Sequence, residues 1–285
     1  IGLLLANGVL SLMAALTSDK TFLSWGWRVP FLLSGALIGV GLWIRLTIAE
    51  TPLFQELEQT QTKARAPIVD VLKVYPRSVL TALGARLGVD IAFYTFALFI
   101  LVYVAQQLEL PRSTALNAVL IGSAFQLFLI PLFGALSDRY GRRPVYLVGA
   151  AGAAVWIFVF FRLLDTRSTA LIFLAAVIGL LCHAAMYGPQ AAFISELFST
   201  RVRYSGASLG YQIAGVLGGA LAPIISIALL KRFDTSVAVS LYVLAGLAIT
   251  IVSVLLAPET AHTDLKAEKP EERAILEGPG QLPAT

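Results

Sequence analysis

Apolar residues run along this chain in long stretches separated by short polar breaks. The stretches at about 28–48, 78–105, 115–136, 145–163, 169–190, 205–230 and 237–257 are each long enough to cross a bilayer as a helix. At 1.5 Å per residue, about 20 residues cover the roughly 30 Å hydrocarbon core. In hydrocarbon every backbone N–H and C=O must find a partner within the chain, and a helix satisfies them segment by segment. The opening stretch 1–16 is apolar and uncharged but covers only about 24 Å. No basic segment precedes it and no small-residue cleavage pattern follows, which argues against a signal peptide. It reads as a transmembrane helix cut short. The pattern thus predicts an all-α membrane protein with one partial and seven complete transmembrane helices. The polar stretches 50–77 and 258–285 are the long exceptions to short connections, and the second, rich in Pro, Glu and Lys, is expected to be disordered.

Composition supports the pattern. The chain is 58% hydrophobic and only 13% charged, with mean hydropathy +0.81, whereas soluble domains average roughly 25% charged. A water-soluble surface cannot be built from these residues. The net charge of +4 says less than where the basic residues sit. Loops 50–77, 137–144 and 191–204, with the tail, hold Lys63, Arg65, Lys73, Arg77, Arg139, Arg142, Arg143, Arg201, Arg203, Lys266, Lys269 and Arg273, twelve in all. The alternate loops hold five: Lys20, Arg112, Arg167, Lys231 and Arg232. The positive-inside rule puts the first set, and the C-terminus, in the cytoplasm. The single cysteine, Cys182, excludes an intramolecular disulfide and reads as a packing thiol. No Walker loop and no His/Cys cluster at metal spacing occurs, so neither a cofactor nor a metal is expected. With two histidines and no folded soluble segment, an enzyme would need its chemistry inside the helices.

One polar break carries more information than the others. Gly134-Ala-Leu-Ser-Asp138-Arg139-Tyr-Gly141-Arg142-Arg143 joins two apolar stretches. Its glycines permit tight backbone geometry, Asp138 stands four residues before Arg142, and Pro144 is read as the start of the next helix, where its missing N–H costs nothing. On residue types alone this is either a solvated turn with positive-inside anchors or a gate. The segment resembles the G-x-L-[SA]-D-R-x-G-R-[KR] signature of the major facilitator superfamily. That resemblance implies a cytoplasmic gate in which Asp138 and Arg142 pair with neighbouring helix ends in one conformation and release in the other, a two-state element for alternating access.

A narrower resemblance covers almost the whole chain. Trp25-Gly-Trp-Arg28-Val-Pro30-Phe, Arg45 followed by Glu50-Thr51-Pro52-Leu-Phe54, Tyr187-Gly188-Pro189-Gln190-Ala-Ala-Phe, and Glu196-Leu-Phe-Ser-Thr-Arg201-Val-Arg203-Tyr-Ser-Gly206-Ala-Ser-Leu-Gly-Tyr211-Gln212 are similar to the metabolite:proton symporters of that superfamily. It implies twelve helices in two halves and proton-driven uptake of organic acids or compatible solutes. Residues 1–49 would then be a remnant of the N-terminal half (partial helix five and helix six), 50–77 the central cytoplasmic loop, 78–257 the C-terminal six-helix half and 258–285 a cytoplasmic tail. It further implies an inner-membrane protein, monomeric in its full-length form, whose partners are the lipid bilayer, protons and a small-molecule substrate, with no nucleic acid. A fragment lacking helices one to four is not expected to transport. A sugar or drug carrier of the same superfamily is the alternative. Seven complete spans also invite a receptor reading, which the truncated first helix, the 134–143 segment and the lack of a disulfide pair oppose. A faint internal echo, Glu50-Thr51-Pro52 against Pro258-Glu259-Thr260, suits parallel repeats.

Polar residues inside the spans are costly and mark chemistry. Arg86 and Asp90, four apart, share a helix face and can neutralise each other, either as a structural ion pair or as a carboxylate anchor (Arg86) beside a proton-coupling group (Asp90). Tyr94 lies a turn further along that face. His183, placed in the cytoplasmic half of its helix, is either a buried hydrogen-bonded ring or a proton relay. Gln126 and Gln212 line the cavity or bond across helices. The gate set is Gly134, Asp138, Arg139, Gly141, Arg142, Arg143, Glu196, Arg201 and Arg203, with Glu196 expected to be wet. Arg45 should snorkel to the headgroups. Gly35/Gly39, Gly206/Gly210 and Gly215/Gly219 are read as close helix contacts, and Gly218, Gly219 and Pro223 as room for bending.

Overall fold

A computed structural model of the chain describes residues 2–47, 67–199 and 202–261. Arg201, the Glu50-Thr51-Pro52 segment and the tail beyond Ala261 lie outside the described residues. All seven full-length spans expected from the pattern are helices of membrane-crossing length: Gly26–Thr47, Pro76–Gln107, Arg112–Tyr140, Arg142–Asp165, Thr169–Glu196, Arg203–Phe233 and Ser236–Leu256. The chain is a multi-pass membrane protein. It divides into two compact units, residues 1–63 and 64–285.

The first unit holds α1 (Gly2–Leu16), α2 (Asp19–Ser24), a 3₁₀ turn at Gly26–Arg28 and α3 (Val29–Thr47). Ser18 caps α2 by accepting from Thr21 N. The 3₁₀ turn is fixed by Arg28, whose Nη1 donates to the Ser24 carbonyl at 2.7 Å while its guanidinium lies 4.3 Å from the Trp27 ring centre. Gly35 and Gly39, read as a close helix contact, have nothing within 4 Å of where a β-carbon would stand.

The second unit comprises α4 (Pro67–Val74), α5 (Pro76–Gln107), α6 (Arg112–Tyr140), α7 (Arg142–Asp165), α8 (Thr169–Glu196), α9 (Arg203–Phe233) and α10 (Ser236–Leu256). The stretch read as a polar loop to residue 77 thus ends in the short helix α4. Helix α8 packs on α6 and α7, and α5 packs on α9 and α10, with α10 also on α7. Small residues set the spacing. A β-carbon at Gly88 of α5 would lie 2.5 Å from the Gly246 carbonyl carbon of α10, and one at Gly188 of α8 would lie 2.8 Å from Gly134 N and Ile130 O of α6. Of the sequence-singled pairs, Gly206 meets the Phe198 ring, Gly210 meets Ala82 and Gly219 meets Tyr94, but Gly215 has nothing within 4 Å.

Two helices depart from α geometry. Helix α5 winds into π turns at Thr95–Phe99 and Tyr103–Gln107, and α9 into one at Gly215–Ala220. The room for bending expected at Gly218 and Gly219 is taken up as this π turn, which packs on α5: a β-carbon at Gly218 would lie 2.6 Å from the Leu87 carbonyl. Pi turns leave carbonyls out of the regular ladder and are frequent at functional sites.

Candidate functional site

Polar side chains collect in the second unit at two levels: halfway along the helices, and at the end where α6 turns into α7.

At mid-depth, Arg86 Nε donates to Asp90 Oδ2 at 2.8 Å, side chains 19% and 9% exposed. The spacing of four on one helix makes this contact local. What surrounds it is not local. Tyr211 of α9 presents its ring face to the guanidinium, 4.0 Å from Cζ to ring centre. Tyr146 of α7, fully buried, donates its hydroxyl to the Ala85 carbonyl at 3.0 Å. Tyr94 packs its ring on Gly219 while Asp90 packs on Gly218, so both face the π turn of α9. A desolvated ion pair of this kind is strongly destabilised when one partner is removed, by about 3–5 kcal/mol, because the other charge is left buried.

Adjacent to it is a second group. Gln126 of α6 donates from Nε2 to the Leu180 carbonyl and contacts His183 Nδ1, both at 2.8 Å. The imidazole stacks on Tyr187 at 5.2 Å between ring centres and lies 4.8 Å from Phe93 of α5. His183 stands near the middle of α8 rather than in one half, because the helix runs on to Glu196. Gln190, one turn after Tyr187 and fully buried, has no partner of good hydrogen-bond geometry, only a marginal interaction with the Tyr211 hydroxyl. Gln212 is exposed and forms no hydrogen bond with the described residues, so the structure does not bring it into this cluster.

At the α6–α7 junction, helix α6 continues to Tyr140 and α7 starts at Arg142, two residues before Pro144. The expected turn 137–144 contracts to Gly141, whose φ of 100° is a conformation that L residues rarely adopt. Arg142 then folds back across the break. Its Nη1 reaches Asp138 Oδ1 and, at 2.8 Å, Ser137 Oγ, while Nε and Nη2 grip both carboxylate oxygens of Glu196 at 3.4 and 3.1 Å. Glu196 is 14% exposed at the side chain, not wet as expected, because α8 delivers it beneath the arginine. Arg139 points outward over Tyr140, and Arg203 reaches the Phe198 carbonyl at 3.4 Å.

The first turn of α7 is capped from far along the chain. Glu259 accepts from Arg142 N at 2.8 Å and Arg143 N at 3.1 Å, as well as from Thr260 N and Ala261 N. Arg143 answers by donating to the Val254 and Leu255 carbonyls at the last turn of α10. A carboxylate thus sits at a helix N-terminus and a cation at a helix C-terminus, each matching the local dipole. Burial alone would raise the Glu259 carboxyl pKa; the four backbone N–H bonds outweigh it and hold it below the ordinary value.

Sequence reasoning had no role for Ser137, Tyr187, Gln190, Tyr211 or Glu259. Tyr187, Gln190 and Tyr211 stand in the segments that carry the family resemblance, and Glu259 in the Pro258-Glu259-Thr260 echo. The signal was present without a partner to interpret it.

Comparison with known proteins adds the following. The family model described as Major Facilitator Superfamily matches residues 83–282. The chain is 36% identical over 260 residues to the shikimate transporter of Escherichia coli (strain K12), covering 90% of this chain and 59% of that protein. It is 31% identical over 270 residues to the inner membrane metabolite transport protein YhjE of the same organism, covering 93% and 61%. To the Escherichia coli (strain K12) proline/betaine transporter it is 27% identical over 285 residues, covering 97% and 57%. The chain therefore spans about three fifths of the length of these relatives. No solved structure matches it.

Proposed function

The chain belongs to the major facilitator superfamily, and from that premise we propose that it serves secondary active transport: proton-coupled symport of a small organic metabolite, an organic acid or compatible solute, by alternating access. The observation that carries this reading is the pairing of Arg142 with Asp138 and Glu196 across the ends of three helices. Such a clasp holds one end of the bundle shut and opens only if both carboxylates are released. The alternating distribution of basic residues supports a cytoplasmic location for this end and for the C-terminus, in an inner membrane. The names of the relatives support a carrier rather than an enzyme; on our reading it works as a monomer on a small-molecule substrate and protons.

Arg86 and Asp90 supply the coupling. A substrate carboxylate, or the carboxylate of a zwitterion, competes with Asp90 for the guanidinium fork. Once displaced, Asp90 is a buried anion without its counter-charge, and binding a proton removes that cost. Substrate and proton then enter together, and the charge balance around Arg86 is kept.

The test is uptake by the full-length protein in membrane vesicles, with dicarboxylates, shikimate, proline and betaine as a panel. At least one should accumulate, and collapsing the proton gradient should abolish accumulation. Asp90→Asn should leave exchange but lose proton-driven accumulation by about tenfold or more. Accumulation that survives collapse of the gradient would sink the symport reading.

A further inference from the structure

Among the described residues His183 is the imidazole at mid-depth, and the bonds around it determine which of its nitrogens carries hydrogen. The Leu180 carbonyl can only accept, so the amide atom 2.8 Å from it must be the NH₂ of Gln126. Turning the amide over would set oxygen against oxygen. That same NH₂ lies 2.8 Å from His183 Nδ1. Its second hydrogen therefore points at Nδ1, and Nδ1 must be the bare, accepting nitrogen of the ring. The ring hydrogen is on Nε2. A proton added at Nδ1 would face the amide N–H, donor against donor, and Gln126 could not turn away without losing Leu180.

The rest of the surroundings holds the ring in place. Phe93 and Tyr187 contact it, at 4.8 and 5.2 Å between ring centres, and the residue is only 4% exposed. Nε2 has no hydrogen-bond partner among the described residues, yet it is not one of the polar atoms sealed off without one. It keeps a small opening. The charge that acts on the ring is that of Arg86 on α5. Asp90 on α5 is engaged by Arg86; Tyr187 stacks on the ring from α8, while Tyr211 of α9 and Tyr146 of α7 stand beside Arg86.

We propose that His183 is a neutral, tautomer-fixed hydrogen-bond donor that offers Nε2–H to an acceptor oxygen of the substrate, with Gln126 as its positioning residue, and that it does not carry the transported proton. This rests on the reading of the chain as a carboxylate carrier. It divides the labour at mid-depth: Arg86 takes the negative charge, Asp90 the proton, and His183 a second oxygen, which selects for substrates with an acceptor beyond the carboxylate held by Arg86.

The first test does not depend on transport. The chain has two histidines, His183 and His262, so ring-¹⁵N-labelled protein in lipid gives two sets of signals. Between about pH 5 and 8, where a free imidazole changes charge, one ring should titrate and the other should keep a bare Nδ1 and a protonated Nε2. Gln126→Leu should turn the silent ring into a mixture of tautomers. Two titrating rings, or a hydrogen on Nδ1 of the silent one, would overturn the proposal. The second test is uptake. His183→Leu should raise KM about tenfold with an unaltered pH profile, and His183→Gln, whose amide nitrogen falls near the Nε2 position, should recover most of the loss. Loss of proton-driven accumulation in His183→Gln would make the ring a proton carrier and refute the assignment. If the unmodified protein moves no carboxylate at all, the transport reading fails, while the ¹⁵N result still decides the tautomer.

Discussion

Thr250 illustrates how much a single residue can do when the backbone around it is tight. Its hydroxyl donates to the Gly84 carbonyl at 2.8 Å and accepts from Gly88 N at 2.9 Å, so that α10 closes one turn of α5 from outside. This is possible because Gly84, Gly88 and Gly246 let the helices approach. Arg86 lies within that turn. Thr250→Val keeps the shape but removes the hydroxyl, leaving buried backbone groups poorly paired at a cost of about 1–3 kcal/mol. Thermal unfolding in detergent should show the loss, and Thr250→Ser should restore most of it. A valine variant as stable as the parent would mean the turn closes without help. The Arg86–Asp90 pair was legible in the sequence because partners four apart on a helix must share a face. Thr250 was not, because its partners stand 162 and 166 residues away.

At the scale of the element, the junction of α6 and α7 is a single residue wide, and its stability is lent by the segment that follows α10. Glu259 satisfies the N–H groups of Arg142 and Arg143, two of the donors that an α-helix leaves open at its start. Because this carboxyl is held below its ordinary pKa of 4.5, its contribution is fully present above that value. It is lost as pH falls through the depressed folded value. Hydrogen exchange of the Arg142 and Arg143 amides, corrected for the intrinsic pH dependence, should show protection near neutrality that disappears on acidification. In Glu259→Gln the protection should be weak throughout and lack that pH step. Unchanged protection in the glutamine variant would place the cap elsewhere. The motif at 134–143 announced a tight turn through Gly141, but not that the turn would be one residue long. That follows from Glu259 replacing the donors' lost partners, and only packing brings it there.

For the whole molecule, the clasp distinguishes arginines that look alike in sequence. Arg142, with 12% of its side chain exposed, joins Asp138 and Glu196, whereas Arg139 is exposed above Tyr140. If the clasp sets the balance between open and closed forms, Arg142→Ala should lower uptake by the full-length protein at least about tenfold without reducing its amount in the membrane. Arg139→Ala should stay within about twofold of the parent. Equal effects would reduce both residues to topology anchors. Among the described residues, the hydrophobic pattern was enough to fix the number, approximate limits and membrane character of the seven full-length spans, since backbone groups in hydrocarbon admit no other solution at such lengths. Residue spacing also gave the contact closed within one helix, Arg86 with Asp90, and set Asp138 four residues before Arg142 without showing that the two pair. Packing settled which helices meet. It set Tyr211 over Arg86, fixed His183 through Gln126, brought Glu196 beneath Arg142 and Glu259 to the start of α7, and left Gln212 outside the cluster. Those contacts depend on helix rotation and on how closely small residues let the backbones approach, and neither is set by hydrophobic pattern when nearly every face of a membrane helix is apolar.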